Sequence, residues 1–252
     1  MTLTMAWVRS TGGIEELVIA SDSRLRPFAW DAAPKIMPLP RNDSVIAFAG
    51  STFYAYPMMI QVVNTVASWD KALNRRQPLE ELKGHLIRVL NRMLEEMNDL
   101  PPEIPEVPDA FFLLAGFSWK SQEFQLWTLH FDSGRGGAFT FRPASRWKRG
   151  NQAKVLAIVG DHVAEAKARL TEMLKELGKL TSGGFDMEPF KVLSDMVDSH
   201  EYDTIGGHLQ LVKIYRHLQV VPFVIERNGV RSLLGRPLLD YEQPDRFPTV
   251  VM

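Results

Sequence analysis

The chain has 252 residues, 23% of them charged, and a formal charge of −1, so it fits one large globular domain and its bulk charge favours neither nucleic acid nor an anionic membrane. It contains no cysteine, which excludes disulfides and thiolate catalysis and agrees with a cytoplasmic setting. No apolar run approaches the ~20 residues of a membrane span, and the start lacks the basic region and apolar core of a signal peptide.

Residues 3–9 and 17–22 read as a hairpin of buried strands around a turn at Thr11, Gly12 and Gly13. Residues 25–34 form a loop carrying Pro27, Phe28, Trp30 and Pro34, and 44–49 form the next strand, closed by Gly50. Met58, Met59, Val62, Val63 and Val66 recur at helical spacing and predict a helix over 53–69; Leu82, Leu86, Val89, Leu90, Met93 and Leu94 predict a second over 79–97. Pro101, Pro102, Pro105 and Pro108 mark an extended surface connector. Strands resume at 110–116, 124–131, 138–141 and 154–159. Asp161 stands where the N-cap of a helix over 163–177 belongs, and a fourth helix is expected over 188–199. Strands at 209–215 and 220–225 follow, and from about residue 226 a proline-containing tail wraps the surface. This order fits a single domain over 1–252 in which two antiparallel sheets pack face to face with helices outside.

The first fifty residues carry the chemistry. Thr2 is small, so Met1 is expected to be removed, leaving a threonine with both a hydroxyl and a free α-amine. That amine titrates near ~8 and can serve as base for its own hydroxyl. Asp22 closes the second apolar run and Lys35 opens the segment leading to Gly50. A lysine beside the nucleophile lowers the cost of an alkoxide and biases the amine toward neutrality, and an aspartate holds that lysine in place. Gly50, without a Cβ, lets its N–H approach an oxyanion closely. The lesser alternative for Asp22 and Lys35 is a structural ion pair with Arg24, and Phe28, Trp30 and Phe48 suit either a substrate pocket or the core.

Thr2-Leu3-Thr4-Met5-Ala6-Trp7, Val18-Ile19-Ala20-Ser21-Asp22-Ser23-Arg24, Lys35-Ile36 and Ala49-Gly50 resemble the catalytic half of a proteasome β-subunit or HslV-like peptidase, members of the N-terminal nucleophile hydrolases. The likeness continues more diffusely through 112–117, 126–132, 158–160 and 205–207. It implies a four-layer αββα sandwich and a threonine-type peptidase in which Thr2 is the nucleophile, Asp22 and Lys35 its charge partners and Gly50 the oxyanion donor. It also implies a peptide or unfolded-protein substrate, a homo-oligomeric ring, an ATPase as a candidate partner, and no metal or organic cofactor. Two positions depart from the family: Asp161 stands where it has a serine, and Asp203 and Thr204 do not match the register of its aspartate and serine before the glycine pair, here Gly206-Gly207. These changes favour one alternative, a non-catalytic ring or scaffold subunit; a further alternative is an amidase acting on small molecules with the same nucleophile.

Other features read as structural. The six histidines lack metal-ligand spacing. The basic stretch Arg142, Arg146, Trp147, Lys148, Arg149 and Lys154 fits a solvated loop or a subunit contact better than a phosphate track. No glycine pair continues into a phosphate loop.

Overall fold

The computed structural model describes residues 2–252 apart from 28, 99, 101, 103, 105, 106, 145, 148–153 and 182. Met1, Phe28, Pro101, Pro105, Lys148 and Arg149, all named above, lie outside the described residues.

Strands β1 (Leu3–Thr11) and β2 (Ile14–Ser21) form the opening hairpin. Its two-residue turn, Gly12 and Gly13, has φ of 61° and 79°. Both angles are positive, as a turn matching the twist of the flanking strands requires. Next come β3 (Ile36–Pro38), β4 (Ser44–Gly50), α1 (Thr52–Ser68), the single turn α2 (Asp70–Leu73) and α3 (Leu79–Glu95). They are followed by β5 (Ala110–Ser118), β6 (Glu123–Asp132), β7 (Ala138–Pro143), β8 (Arg146–Trp147), β9 (Lys154–Gly160), α4 (Val163–Glu176) and α5 (Glu188–Asp198). The chain closes with β10 (Gln210–Tyr215), β11 (Gln219–Pro222), β12 (Val224–Arg227), β13 (Val230–Leu233), β14 (Arg236–Pro237) and β15 (Thr249–Val251).

The strands build three sheets: six strands in the order β11-β10-β2-β1-β9-β8, five in the order β3-β4-β5-β6-β7, and four in the order β14-β13-β12-β15. Alternation along the strands sorts side chains to opposite faces. Ala6, Leu17 and Ile19 meet Val45, Ala47, Leu113 and Ala115 between the two larger sheets. On the other face of the five-stranded sheet, Ile46, Phe48 and Phe112 pack against Met58, Met59 and Val62 of α1 and Leu82, Leu86 and Leu90 of α3. Leu3, Met5 and Trp7 pack against Leu170 and Leu174 of α4 and Phe190 and Leu193 of α5, and Ile225 of the third sheet joins that cluster.

The four-layer αββα sandwich of two antiparallel sheets is therefore corrected. The fold is β-rich, with three sheets, a parallel β12–β15 pair, and more residues in strands than in helices among those described. The difference arises after residue 219. The run expected as one strand over 220–225 divides at Phe223: β11 pairs with β10, while β12 begins a separate sheet with the segment expected as a surface tail. Phe223, whose N–H donates to the Leu211 carbonyl at 2.9 Å, is the joint. The N-cap of α4 also differs: it is His162, in the left-handed region at φ 53° and without a side-chain capping bond, rather than Asp161. No helix among the described residues is long and apolar enough to cross a membrane.

Candidate functional site

The candidate site lies where β1 begins, β2, β4 and β9 end and β3 is about to start. Asp22 and Lys35 are fully buried there, and Lys35 Nζ donates to Asp22 Oδ1 at 2.9 Å. The same Oδ1 accepts the Leu3 N–H at 3.1 Å. The lysine ammonium and the residue directly after Thr2 thus converge on one oxygen. Asp22 Oδ2 accepts the Arg24 N–H at 3.1 Å and the Gly206 N–H at 3.0 Å. A carboxylate held by three backbone N–H groups and an ammonium is satisfied despite complete burial. Burial pushes the Lys35 ammonium below its ordinary pKa, and Asp22 opposes that shift by its charge and its hydrogen bond, with Asp161 and Asp31 adding to the opposition.

Gln210 of β10 fixes this arrangement from behind. Its Nε2 donates to the carbonyls of Asp22 at 2.8 Å and Ala33 at 3.0 Å, and its Oε1 accepts the Lys35 N–H at 2.9 Å. One amide therefore ties the end of β2, the loop and the start of β3 together. Sequence reading missed it, although a lone amide inside the apolar run Leu209-Gln210-Leu211-Val212 was the available signal. The Arg24 guanidinium does not join the Asp22–Lys35 pair. It binds Asp31 through two bonds, Nε to Oδ1 at 2.7 Å and a terminal nitrogen to Oδ2 at 2.8 Å, which keeps the Asp31 carboxyl below its ordinary pKa.

Thr2 is fully buried, and its carbonyl accepts the Asp161 N–H at 2.7 Å. Gly160, at φ +107°, makes this approach possible: a Cβ there would sit 1.8 Å from the Thr2 carbonyl oxygen and 3.1 Å from the Ala49 side chain. The close pass brings β9 and β1 against the end of β4, where Gly50 sits at φ +97°. A Cβ on Gly50 would meet the Asp109 carbonyl at 2.4 Å, so only glycine fits there. Asp22 and Lys35 are thus in direct contact, while Thr2 and Gly50 reach the same corner through Leu3, Gly160 and Ala49.

The family-departing residues are also placed. His162 Nε2 and Thr204 Oγ1 are 3.0 Å apart, and the His162 ring lies 4.5 Å from that of Tyr202. Asp203 turns outward beside Arg26. Phe48 is core and Trp30 is 64% exposed, so neither encloses the corner. Lys154 donates to the Lys179 carbonyl at 2.5 Å and lies over the Phe185 ring, which removes it from the basic stretch. A cavity of about 310 Å³ adjoins Gly206 and Gly207 and is lined by Arg24, Asp31, His208 and Arg227. None of the four candidate residues lines it, so it does not define the chemistry. Among the described residues no group of three or more His, Asp or Glu is placed to hold a metal ion.

No family model and no curated protein matches this chain.

Proposed function

We propose that the protein is an N-terminal threonine hydrolase that cleaves amide bonds, with peptides or unfolded chains as substrate, once whatever precedes Thr2 has been removed. The observation that carries this reading is the fully buried Asp22–Lys35 pair, locked to the first residues of β1 through the Leu3 N–H. An ammonium desolvated beside the start of a chain is suited to stabilising an alkoxide. In the mechanism this reading entails, Thr2 Oγ attacks the amide carbonyl and its proton passes to the Thr2 α-amine. The Gly50 N–H steadies the oxyanion, and the proton is handed to the leaving amine. Water then cleaves the Thr2 ester, releasing the carboxylic product and restoring the hydroxyl. The resemblance in the first fifty residues also supports a homo-oligomeric ring and an ATPase partner, and the lack of cysteine agrees with a cytoplasmic setting.

The complete enclosure of Thr2 favours a second reading, a non-catalytic ring or scaffold subunit. Hydrolysis of an unfolded protein and of short peptide amides, by wild type and Thr2→Ala, separates the two. Activity in the wild type that is abolished in the variant is expected. No activity toward either substrate in a protein beginning at Thr2 rejects the hydrolase, and cleavage of small amides alone marks an amidase. Light scattering should give a multiple of 28.6 kDa.

A further inference from the structure

Asp161 is a half-buried ionisable group near the corner that this mechanism leaves unused. Its Oδ2 is enclosed, yet it has no hydrogen-bond partner among the described residues. An enclosed carboxylate oxygen left unpaired costs roughly 1–3 kcal/mol or more, so its environment is complete only when a donor arrives. The sheet register says where that donor comes from. Leu3 pairs with Gly160 in the antiparallel β1–β9 ladder, so the next pair is Thr2 with Asp161, and the Asp161 N–H already donates to the Thr2 carbonyl at 2.7 Å. Residues directly opposite in such a ladder have Cβ atoms about 4.5–5.5 Å apart.

Ala157 and Val159 of β9 point into the space between the two larger sheets, and Asp161 lies one residue past that strand, beyond Gly160 at φ +107°. On β1, Ala6 faces that space, and Thr4 donates to the Phe48 carbonyl at 3.3 Å, with Thr2 in phase with both. When Thr2 becomes the first residue, its backbone nitrogen becomes an ammonium with three donors beside this carboxylate.

Resting on the hydrolase reading, we propose that Asp161 is the positioning residue for the nucleophile: its carboxylate binds the α-ammonium of Thr2 and orients the amine toward the threonine hydroxyl. A serine at this position could only hydrogen-bond the amine. A carboxylate beside an ammonium favours the protonated amine, so the amine here gives up its proton at higher pH. The other titratable groups at this corner are Asp22 after β2, Lys35 before β3 and His162 before α4, with Asp31 and Asp109 farther out. Lys35 acts against Asp161 on the amine, and Asp22 neutralises Lys35 in turn.

The test uses the full chain with Thr2 confirmed as first residue by mass spectrometry. The pH dependence of α-amine acylation at Thr2 is followed on the amino-terminal peptide for wild type, Asp161→Asn and Asp161→Ser. Both variants should move the midpoint down by about 1–3 pH units, and Asp161→Glu should restore most of the shift. Asp161→Ser provides a second variant should Asp161→Asn fail to fold. This readout needs no turnover. Equal midpoints in all proteins overturn the Asp161 assignment and leave the hydrolase standing. A shifted midpoint without hydrolysis by the wild type upholds the ammonium contact and removes the hydrolase. A residue retained before Thr2 on every molecule overturns both.

Discussion

Two fully buried ion pairs stand toward opposite ends of β4, and they are built differently. Ahead of its first residue, Arg41 binds Asp43 through Nε to Oδ1 at 2.6 Å and a terminal nitrogen to Oδ2 at 2.9 Å, and that nitrogen also donates to the Gln77 carbonyl at 3.0 Å. Toward its last residue, Lys35 meets Asp22. The first pair joins residues two apart, and among the described residues the Ser44 hydroxyl is the one donor to its carboxylate besides arginine, at 2.9 Å. The second draws backbone N–H groups of Leu3, Arg24 and Gly206 from three separate segments onto one carboxylate. A pair that anchors a turn needs a rigid bidentate partner. In the proposed hydrolase, a pair that serves chemistry needs a point charge whose counter-ion is held independently of it. Lysine and three backbone donors meet that need, as arginine and one hydroxyl do not.

The sharpest way to break this contrast is to remove each cation. Arg41→Met leaves the Asp43 carboxylate buried with a single hydroxyl donor, so urea unfolding should show a loss of roughly 3–5 kcal/mol, while the molecules that remain folded keep their hydrolytic rate. Lys35→Met should do the reverse. Asp22 keeps its backbone donors, so the stability loss is smaller than for Arg41→Met, and turnover of an unfolded-protein substrate should fall on the order of 10²-fold or more. Equal stability losses in the two variants would erase the distinction.

Gln210→Leu tests whether the second pair depends on support from behind. It strands the Lys35 N–H and the Asp22 carbonyl, a loss of about 1–3 kcal/mol by thermal or urea unfolding, and by loosening Lys35 it should lower turnover without abolishing it. Unchanged stability would mean that water replaces the amide.

The smallest effect is in pH. Burial holds the folded Lys35 pKa below 10.5, so the unfolded chain binds that proton more tightly. Stability therefore rises with pH through the window that ends near 10.5: the destabilising contribution is full below the depressed folded pKa and gone above 10.5. Subtracting the Lys35→Met curve from wild type, from about pH 8 upward, should reveal this rise. A difference that falls with pH would reverse the sign of the shift.

What was legible in the sequence follows the range of each interaction. The opening hairpin, the four longer helices and the phase of β4 and β5 were readable because apolar period and local turns fix them. Asp22 and Lys35 were readable as a charge pair at the ends of apolar runs. The Gln210 clamp joins residues 175 and 188 positions apart, beyond any local pattern. The third sheet escaped because β12 to β15 are two to four residues long and lie among prolines, too short for alternation to declare itself. Asp161 looked like a helix cap because it precedes an apolar period by two residues. Only the register with β1 places it opposite Thr2.

The central claim, that Thr2 acts as an amino-terminal nucleophile beside the Asp22–Lys35 pair, is tested most directly by mass spectrometry of the amino-terminal peptide from protein purified without a terminal tag. A peptide beginning at Thr2 is the expected result. A peptide that retains the preceding residue on essentially all molecules would contradict the claim, because the α-amine would then belong to another residue and Thr2 would have no base of its own.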